Sequence, residues 1–156
     1  LNNTSLSKTK KNVAICPGAS IKMKRWNLNY FLEVGNFLIK KKFTPVFLIG
    51  PNEFDMIPLI KKSLKLSKII KSTDPLKTIK ISKTCKFGIS NDTGCGHLIS
   101  ASGIPILTIF GPTSSEKFSP IGNKYNKVIS SQKNHLSKNI NLISPAEVIK
   151  AITPLL

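Results

Sequence analysis

The sequence predicts a doubly wound α/β domain, in which a parallel β-sheet carries helices on both faces. Short, continuously apolar runs alternate along the chain with segments of helical period. Strands that are apolar throughout are typical of parallel sheets buried on both faces. The predicted strands are residues 13–16, 46–49, 87–90, 106–110 and 128–129. Such a sheet binds its ligands at the carboxyl ends of its strands.

Helical spacing and capping residues predict the helices between these strands. The first predicted helix has apolar or small residues at helical spacing along one face, and it ends at the lysines 40–42. The residues of that face are Leu28, Phe31, Leu32, Gly35, Leu38 and Ile39. Asp74 before Pro75 predicts a second helix start. The segment 144–147, Ser-Pro-Ala-Glu, is a capping box that predicts a third. Pro58 favours a turn followed by a helix from about Ile57.

The length of 156 residues, with 40% hydrophobic content, fits one domain. Residues 1–11 are polar and lysine-rich without periodicity, which predicts a linker or a frayed end, and residues 12–156 form the predicted domain. No secretory signal is visible. The longest apolar run, 104–110, is far shorter than the roughly 20 residues that cross a bilayer, which excludes a membrane-spanning role.

The formal charge of +17 invites a nucleic-acid interpretation, because clustered cations bind phosphate backbones. Arg25 is the only arginine, however, and the lysines are scattered along the whole length, so no specific nucleic-acid partner is predicted. A peripheral, salt-sensitive contact with the anionic inner face of the cytoplasmic membrane stays open. Cys16, Cys85 and Cys95 show no zinc-type or paired spacing, and they are interpreted as reduced cysteines of a cytoplasmic protein. Neither a metal nor a cofactor is predicted.

The loop after the third predicted strand, residues 91–97, turns through glycines into a helix. Free amides at a helix start form an anion site suited to a diphosphate, with Thr93 and Gly94 as donors. Asp92 would accept hydrogen bonds from sugar hydroxyls or orient the loop, since it repels phosphate. The alternative is that Asp92 or Thr93 only caps the helix and that His97 packs beneath it.

Three further loops follow strands. In residues 17–26, Ser20 could donate to phosphate and Lys24 could neutralise a departing diphosphate. For a single lysine in a chain this rich in lysine, a solvated basic loop is the commoner explanation. Trp26 is interpreted as a core anchor. Glu53, in the turn after the second strand, could accept ribose hydroxyls or simply suit the helix dipole. The turn at Gly111 could close the pocket or be only a turn.

Together these loops resemble the second domain of the heptosyltransferases of glycosyltransferase family 9. The family pattern has a Pro-Gly-Ala-Ser-like loop, Lys-Arg-Trp, a Gly-x-x-Glu turn, Asn-Asp-Thr-Gly followed by His, and Phe-Gly-Pro-Thr. These motifs stand here, in the same order, at residues 17–20, 24–26, 50–53, 91–97 and 110–113. Asn27 stands where the family usually has proline, and Cys95-Gly96 replaces a more usual Leu and a small or apolar residue; both could loosen the loop and alter sugar preference.

The resemblance implies the Rossmann-like, carboxyl-terminal half of a two-domain GT-B glycosyltransferase. It implies that Ser20 and Lys24 meet the diphosphate of an ADP-sugar, ADP-heptose by analogy, and that Glu53 meets the ribose. Asp92, Thr93 and Gly94 would meet the sugar and phosphate, with His97 supporting their loop and Gly111 at the pocket.

The acceptor, a lipopolysaccharide core or lipid A, would be held by an amino-terminal domain that residues 1–156 do not supply. That domain would also provide the catalytic base, so no catalytic residue is expected here beyond the assistance of Lys24 to the leaving diphosphate. No metal is obligatory in this scheme. The alternative function is a non-catalytic nucleotide- or nucleic-acid-binding α/β module.

Overall fold

The computed structural model describes residues 10–120 and 125–156, which contain a six-stranded parallel sheet. Its strands are β1 (Asn12–Cys16), β2 (Thr44–Ile49), β3 (Lys68–Lys71), β4 (Cys85–Asn91), β5 (Ile106–Phe110) and β6 (Lys127–Ser130). The order across the sheet is β3-β2-β1-β4-β5-β6, and every neighbouring pair is parallel. The strand order therefore reverses between β1 and β4. This confirms the predicted doubly wound α/β fold.

The helices that join these strands are α1 (Leu28–Lys40), α2 (Ile57–Ser63), α3 (Pro75–Ser82), α4 (Gly94–Ala101), α5 (Ser115–Phe118), α6 (Ser131–His135) and α7 (Pro145–Ile152). The predicted starts at Ile57, Asp74 and Ser144 are confirmed. Asp74 accepts a hydrogen bond from the Leu76 N–H at 3.0 Å, and Ser144 and Glu147 form the complete capping box. Short 3-10 turns occupy Lys22–Lys24, Pro51–Met56, Ile140–Leu142 and Thr153–Leu155.

The edge strand β3 is the one strand in the described residues that the apolar pattern does not predict. It consists of two half-buried isoleucines between two exposed lysines. An edge strand has only one neighbour to pack beside, so it needs little apolar sequence, and edge lysines protect it from pairing with other chains. Of the predicted linker, residues 1–9 lie outside the described residues, and β1 begins at Asn12.

Both faces of the sheet are buried, because alternate residues of each strand point to opposite sides. On one face Val13 and Ile15 of β1 join a core that includes residues of α1 and α7. On the other face Ala14 and Cys16 join a smaller core that includes Ile99 of α4. This two-sided burial explains why the central strands are continuously apolar, and it leaves the strand ends as the place for polar groups.

Candidate functional site at the carboxyl edge of the sheet

The loops that follow β1, β2, β4 and β5 meet at one edge of the sheet, because all the strands run in the same direction. The Lys24 Nζ lies 3.2 Å from the Asp92 Oδ2, which joins the loop after β1 to the loop after β4. Thr113 donates from its Oγ1 to the same Asp92 oxygen at 2.8 Å and so adds the loop after β5. The loops after β1 and β4 flank the point where the strand order reverses, which is where open α/β sheets form ligand crevices.

Asp92 and Lys24 form the centre of this edge. Asp92 is 8% exposed, and the side chain of Lys24 is 21% exposed. A charge pair in such a setting is less screened than one on an open surface. Asp92 therefore orients the lysine, a contact that the sequence does not predict. Because an ammonium carries three N–H donors, Lys24 can hold Asp92 and still offer hydrogen bonds to an incoming anion.

The loop after β1 is fixed to β4 by the buried side chain of Asn91. Its amide nitrogen donates to the carbonyl oxygens of Pro17 at 2.9 Å and Gly18 at 3.3 Å. Its Oδ1 accepts from the backbone N–H of Trp26 at 3.0 Å. The Asn91 side chain thus forms hydrogen bonds with the backbone at both ends of the loop that carries Lys24. These bonds keep the loop in place without a ligand.

Trp26 anchors the far end of the same loop in the core, as predicted. It is 1% exposed, its ring meets Phe31 edge-on with centroids 4.9 Å apart, and its Nε1 donates to the Ile143 carbonyl at 2.8 Å. The indole is therefore both packed and hydrogen-bonded, which is what a buried tryptophan requires. It is not available as a platform for a base.

The start of α4 combines the two roles that the sequence leaves open for it. Thr93 caps the helix, since its Oγ1 accepts from the Gly96 N–H at 3.1 Å. The Thr93 hydroxyl is thus occupied as an acceptor, as the capping alternative expects. Within the described part of the chain, the N–H groups of Gly94 and Cys95 have no protein acceptor. These two amides are the donors that the helix start retains for an anion.

Glu53 lies in a small inner pocket of about 130 Å³, lined by Cys16, Gly18, Ala19, Ser20, Gly50, Glu53, Ser72, Thr93 and Cys95. Glu53 is 8% exposed, so it is not an exposed first-turn residue, although it does stand in the first turn of the 3-10 segment after β2. A β-carbon at Gly18 would lie 2.6 Å from its Cδ. From the sequence alone, a glycine in this loop suggests that a ligand approaches the backbone closely. In the structure, the group that Gly18 makes room for is the Glu53 carboxyl group.

Arg25 connects this inner pocket with the rest of the loop. Its Nε donates to the Ala19 carbonyl at 2.8 Å, and its guanidinium lies 3.8 Å from Glu53 Oε1. Neither Arg25 nor Asn91 is among the predicted site residues, yet both hold the predicted ones in place. A signal for Arg25 was available: it is the only arginine in a lysine-rich chain, and composition bias does not account for it.

Ser20, His97 and Gly111 are placed differently from one another. Ser20 lines the inner pocket and is exposed. His97 is exposed on α4 and makes no side-chain hydrogen bond within the described residues, so it neither packs beneath the helix nor supports the loop. Gly111 is buried, and a β-carbon there would lie 2.6 Å from the Ile140 Cβ. Packing against the segment before α7 is thus a sufficient reason for glycine at that position.

The comparison with family models decides the class of this chain. Residues 2–144 match the model of glycosyltransferase family 9 (heptosyltransferase). The chain belongs to glycosyltransferase family 9. This membership favours a transferase domain over the alternative of a non-catalytic binding module.

Individual relatives agree with the family 9 assignment. The lipooligosaccharide heptosyltransferase 2 of Campylobacter jejuni (serotype O:6) is 31% identical over 134 residues, which cover 82% of this chain and 42% of that protein. The family 9 glycosyltransferase structure from Veillonella parvula superimposes with a TM-score of 0.83 at 21% identity, covering 97% of this chain and 47% of that one. The chain spans less than half of the length of these relatives.

A structure of an E. coli heptosyltransferase, WaaC with ADP, has the same fold. It superimposes with a TM-score of 0.84 at 16% identity, covering 96% of this chain and 46% of that chain. The fold of this family 9 chain is therefore that of one half of a GT-B heptosyltransferase structure.

Asn27, the first departure from the family pattern, does not loosen the loop. Its φ of −52° is close to the value that proline would impose. Its side chain caps α1 by accepting from the Asn29 N–H at 2.9 Å. Its own N–H donates to Asn141 Oδ1 at 2.9 Å, a bond that proline could not make. Asn27 thus holds this part of the loop through hydrogen bonds of its side chain and of its backbone N–H, where a proline would hold it through its ring.

The second departure, Cys95-Gly96, places a thiol at the inner pocket. Cys95 is half-buried beside the fully buried core cysteine Cys16. A hydrogen bond with the Cys16 thiol, together with burial, holds the pKa of the Cys95 thiol well above its usual value. Burial likewise raises the pKa of the core cysteine Cys85. Cys95 and Cys85 are therefore protonated at neutral pH, which makes them poor nucleophiles.

Two further features of this family 9 chain bear on its chemistry. Within residues 10–120 and 125–156, no group of three or more His, Cys, Asp or Glu residues is arranged to hold a metal ion. None of the helices in these ranges has the length and apolar character needed to cross a membrane. At the carboxyl edge of the sheet, the polar groups available to a ligand include an ammonium, a guanidinium, two carboxylates and the amides at the start of α4.

Proposed function

We propose that this chain is the donor-binding half of a glycosyltransferase that transfers heptose from ADP-heptose to the inner core of lipopolysaccharide. The observation that carries the proposal is the Lys24–Asp92 pair, which joins the loops after β1 and β4 at the point where the strand order reverses. The E. coli WaaC structure with ADP, which shares this fold, supports an adenine nucleotide as the ligand at this edge. Family membership supports heptose as the sugar.

The proposed site divides the donor among its polar groups. Lys24, the free amides at the start of α4 and the hydroxyl of Ser20 face the diphosphate. Glu53 accepts hydrogen bonds from the ribose hydroxyls at the inner pocket. Asp92 meets sugar hydroxyls while it holds Lys24, and Thr93 contributes through the helix that it caps. The exposed His97 lies at the rim, and the buried Gly111 serves to position the loop that carries Thr113. The family pattern suggests these roles, and the meeting of the four loops at one edge of the sheet supports them.

The chemical step follows from these positions. A base on the acceptor-binding half removes the proton of an acceptor hydroxyl, whose oxygen attacks the anomeric carbon of the sugar. The bond from that carbon to the diphosphate oxygen breaks, and ADP leaves with the electron pair. Lys24 and the helix-start amides stabilise the negative charge that develops on the diphosphate. Asp92 cannot serve as the base while it accepts hydrogen bonds from both Lys24 and Thr113.

The charge balance of the edge supports weak donor binding by this half alone. The positive charges of Lys24 and Arg25 are each matched by a carboxylate, Asp92 and Glu53, within 4 Å. A diphosphate therefore gains little net attraction from these four groups. An open edge also leaves the ligand in contact with water, which screens what remains. On this proposal the acceptor half closes the crevice and raises the affinity.

The acceptor and the location belong to the same proposal. A lipopolysaccharide core or lipid A acceptor reaches the sugar through the other half, and the chain works in the cytoplasm at the inner face of the membrane. The lysine-rich surface supports a peripheral contact there, because each lysine near an anionic leaflet contributes about 1 kcal/mol of attraction.

A transfer assay with ADP-heptose and a truncated lipopolysaccharide acceptor tests the proposal. We expect no transfer by the chain of 156 residues and turnover after fusion to the amino-terminal half of a family 9 relative. The fusion carrying Lys24→Ala should lose most of that turnover, whereas the fusion carrying Lys41→Ala should keep it. Robust transfer by the unfused chain, abolished by Asp92→Ala, would show that the base lies here and would contradict the division of roles.

A further inference from the structure

A second pocket lies on the outer side of the loop that carries Lys24. Its volume is about 440 Å³, within the range of small-molecule sites. One wall is formed by Lys22, Met23 and Arg25, and the other by residues 138–141 before α7. We call it the outer pocket. None of the roles given above to the diphosphate, ribose or sugar uses it.

The charged side chains that line the outer pocket are all positive. Lys22, Arg25 and Lys138 line it, and no acidic residue of the described ranges does. Arg25 is partly engaged with Glu53, but Lys22 and Lys138 are exposed and have no carboxylate within 4 Å in the described residues. Cations gathered in a concave surface without counter-charges concentrate anions there. The Lys24–Asp92 pair, in contrast, is balanced before any ligand arrives.

The remaining lining of the outer pocket suits a sugar. Asn139 and Asn141 use their side-chain oxygens as acceptors, from the Asn141 and Asn27 N–H groups respectively. Their amide NH₂ groups have no protein acceptor in the described residues and remain as donors for hydroxyls. Met23, 67% exposed, adds an apolar surface on which the C–H face of a sugar ring can pack.

Arg25 connects this pocket to the donor site. Its side chain lines the outer pocket while its guanidinium lies 3.8 Å from Glu53, which lines the inner pocket. The two pockets are therefore neighbours, lined by different residues of one loop. Lys24, which stands between Met23 and Arg25 of this lining, holds Asp92 at the place proposed for the sugar. A group bound in the outer pocket therefore lies beside the part of the donor that an acceptor has to approach.

We infer that the outer pocket binds an anionic group of the acceptor, a phosphate or carboxylate carried on a sugar, through Lys22, Arg25 and Lys138. This inference rests on the proposed function, because it assigns the ligand to the acceptor side of the same transfer. It adds a specificity contact on the donor half, so that acceptor selection is shared between the two halves of the enzyme.

Titration with glucose 6-phosphate as the probe, in the presence of saturating ADP, tests the inference by amide chemical shifts. We expect shifts at residues 22–25 and 138–141, with weaker effects from glucose or inorganic phosphate alone. The variant Lys22→Gln/Lys138→Gln should bind the probe about fivefold to tenfold more weakly, as expected for two partly exposed charge contacts. Lys40→Gln/Lys80→Gln, which removes the same charge from exposed positions on α1 and α3, should bind it like the parent chain.

The outcomes separate the inference from the proposed function. Equal binding by both variants, or loss in both, would overturn the inference and leave the binding of ADP unaffected. A loss by the Lys22/Lys138 variant on anionic lipid vesicles but not with glucose 6-phosphate would also overturn it, in favour of a membrane contact. Failure of the parent chain to bind ADP in the same samples would instead contradict the proposed function.

Discussion

Lys24 and Asp92 are 68 positions apart in the chain (92 − 24), yet their charged groups lie 3.2 Å from each other at the carboxyl edge of the sheet. The pair bridges β1 and β4, the two strands between which the strand order reverses. Thr113 completes it with a hydrogen bond to the same carboxylate. A lysine held in this way has lost most of its rotamer freedom before a ligand arrives, which lowers the entropic cost of binding a diphosphate.

Replacement of Lys24 tests whether this lysine meets the diphosphate. We expect Lys24→Ala to weaken ADP binding by at least about tenfold, the size of a charge-assisted hydrogen bond. Lys41→Ala is the matched control, because Lys41 is exposed at the end of α1, where its ammonium lies over the Phe37 ring and has no carboxylate partner in the described residues. Calorimetric titrations at two salt concentrations measure both variants. Equal losses that disappear at high salt would mean that ADP responds to general surface charge.

Replacement of Asn91 tests how the loop is held. Asn91→Ala leaves the Trp26 N–H and the carbonyls of Pro17 and Gly18 without their partner in a buried site. We expect the free energy of unfolding to fall by about 2–4 kcal/mol. Asn36→Ala, at an exposed position on α1, should change it by less than about 0.5 kcal/mol. Urea denaturation compares them, and similar values for both would show that Asn91 does not fix the loop.

The central strands could be predicted from the sequence because their burial on both faces makes them apolar without interruption. β3 could not, since Lys68 and Lys71 enclose only two apolar residues at the edge of the sheet. The helix starts at Asp74 and Ser144 were predictable because capping depends on residues within three positions of each other. Features that depend on contacts between residues close in the sequence, such as helix caps, can be predicted from the sequence.

The candidate site was predictable as a set of strand-end loops but not in its internal contacts. Asn91 reaches Pro17 across 74 positions, and no spacing rule joins such residues. Gly18 illustrates the same limit. The sequence indicates a close approach at this glycine but not that the approaching group is the Glu53 side chain.

The capping box of α7 predicts a pH dependence of stability. Burial raises the pKa of Glu147, but hydrogen bonds from the Ser144 N–H and hydroxyl and from His135 outweigh it and leave the pKa lowered. A carboxyl group whose pKa is lower in the folded state stabilises the fold above its unfolded pKa of about 4.3. That contribution is lost as the pH falls through the lower, folded pKa.

Denaturation of the parent chain and Glu147→Ala from pH 7 to pH 3 measures this effect. We expect the difference in unfolding free energy between the two chains to shrink as the pH falls from about 5 through the unfolded pKa of about 4.3. Glu33→Ala is the control, because Glu33 is exposed on α1 and forms no ion pair in the described residues. A difference for Glu147→Ala that stays constant down to pH 3 would show that its charge contributes nothing.

An amide chemical-shift titration of the chain with ADP tests the proposed donor site most directly. If the crevice between β1 and β4 is that site, the shifts should be confined to residues 17–25, 50–53 and 91–97, and Lys24→Ala should diminish all of them together. The lysine-rich exposed surface of α2 and α3, which includes Lys61 and Lys77, should not respond. Shifts spread over such exposed lysines, with none at residues 91–97, would contradict a nucleotide site at this edge.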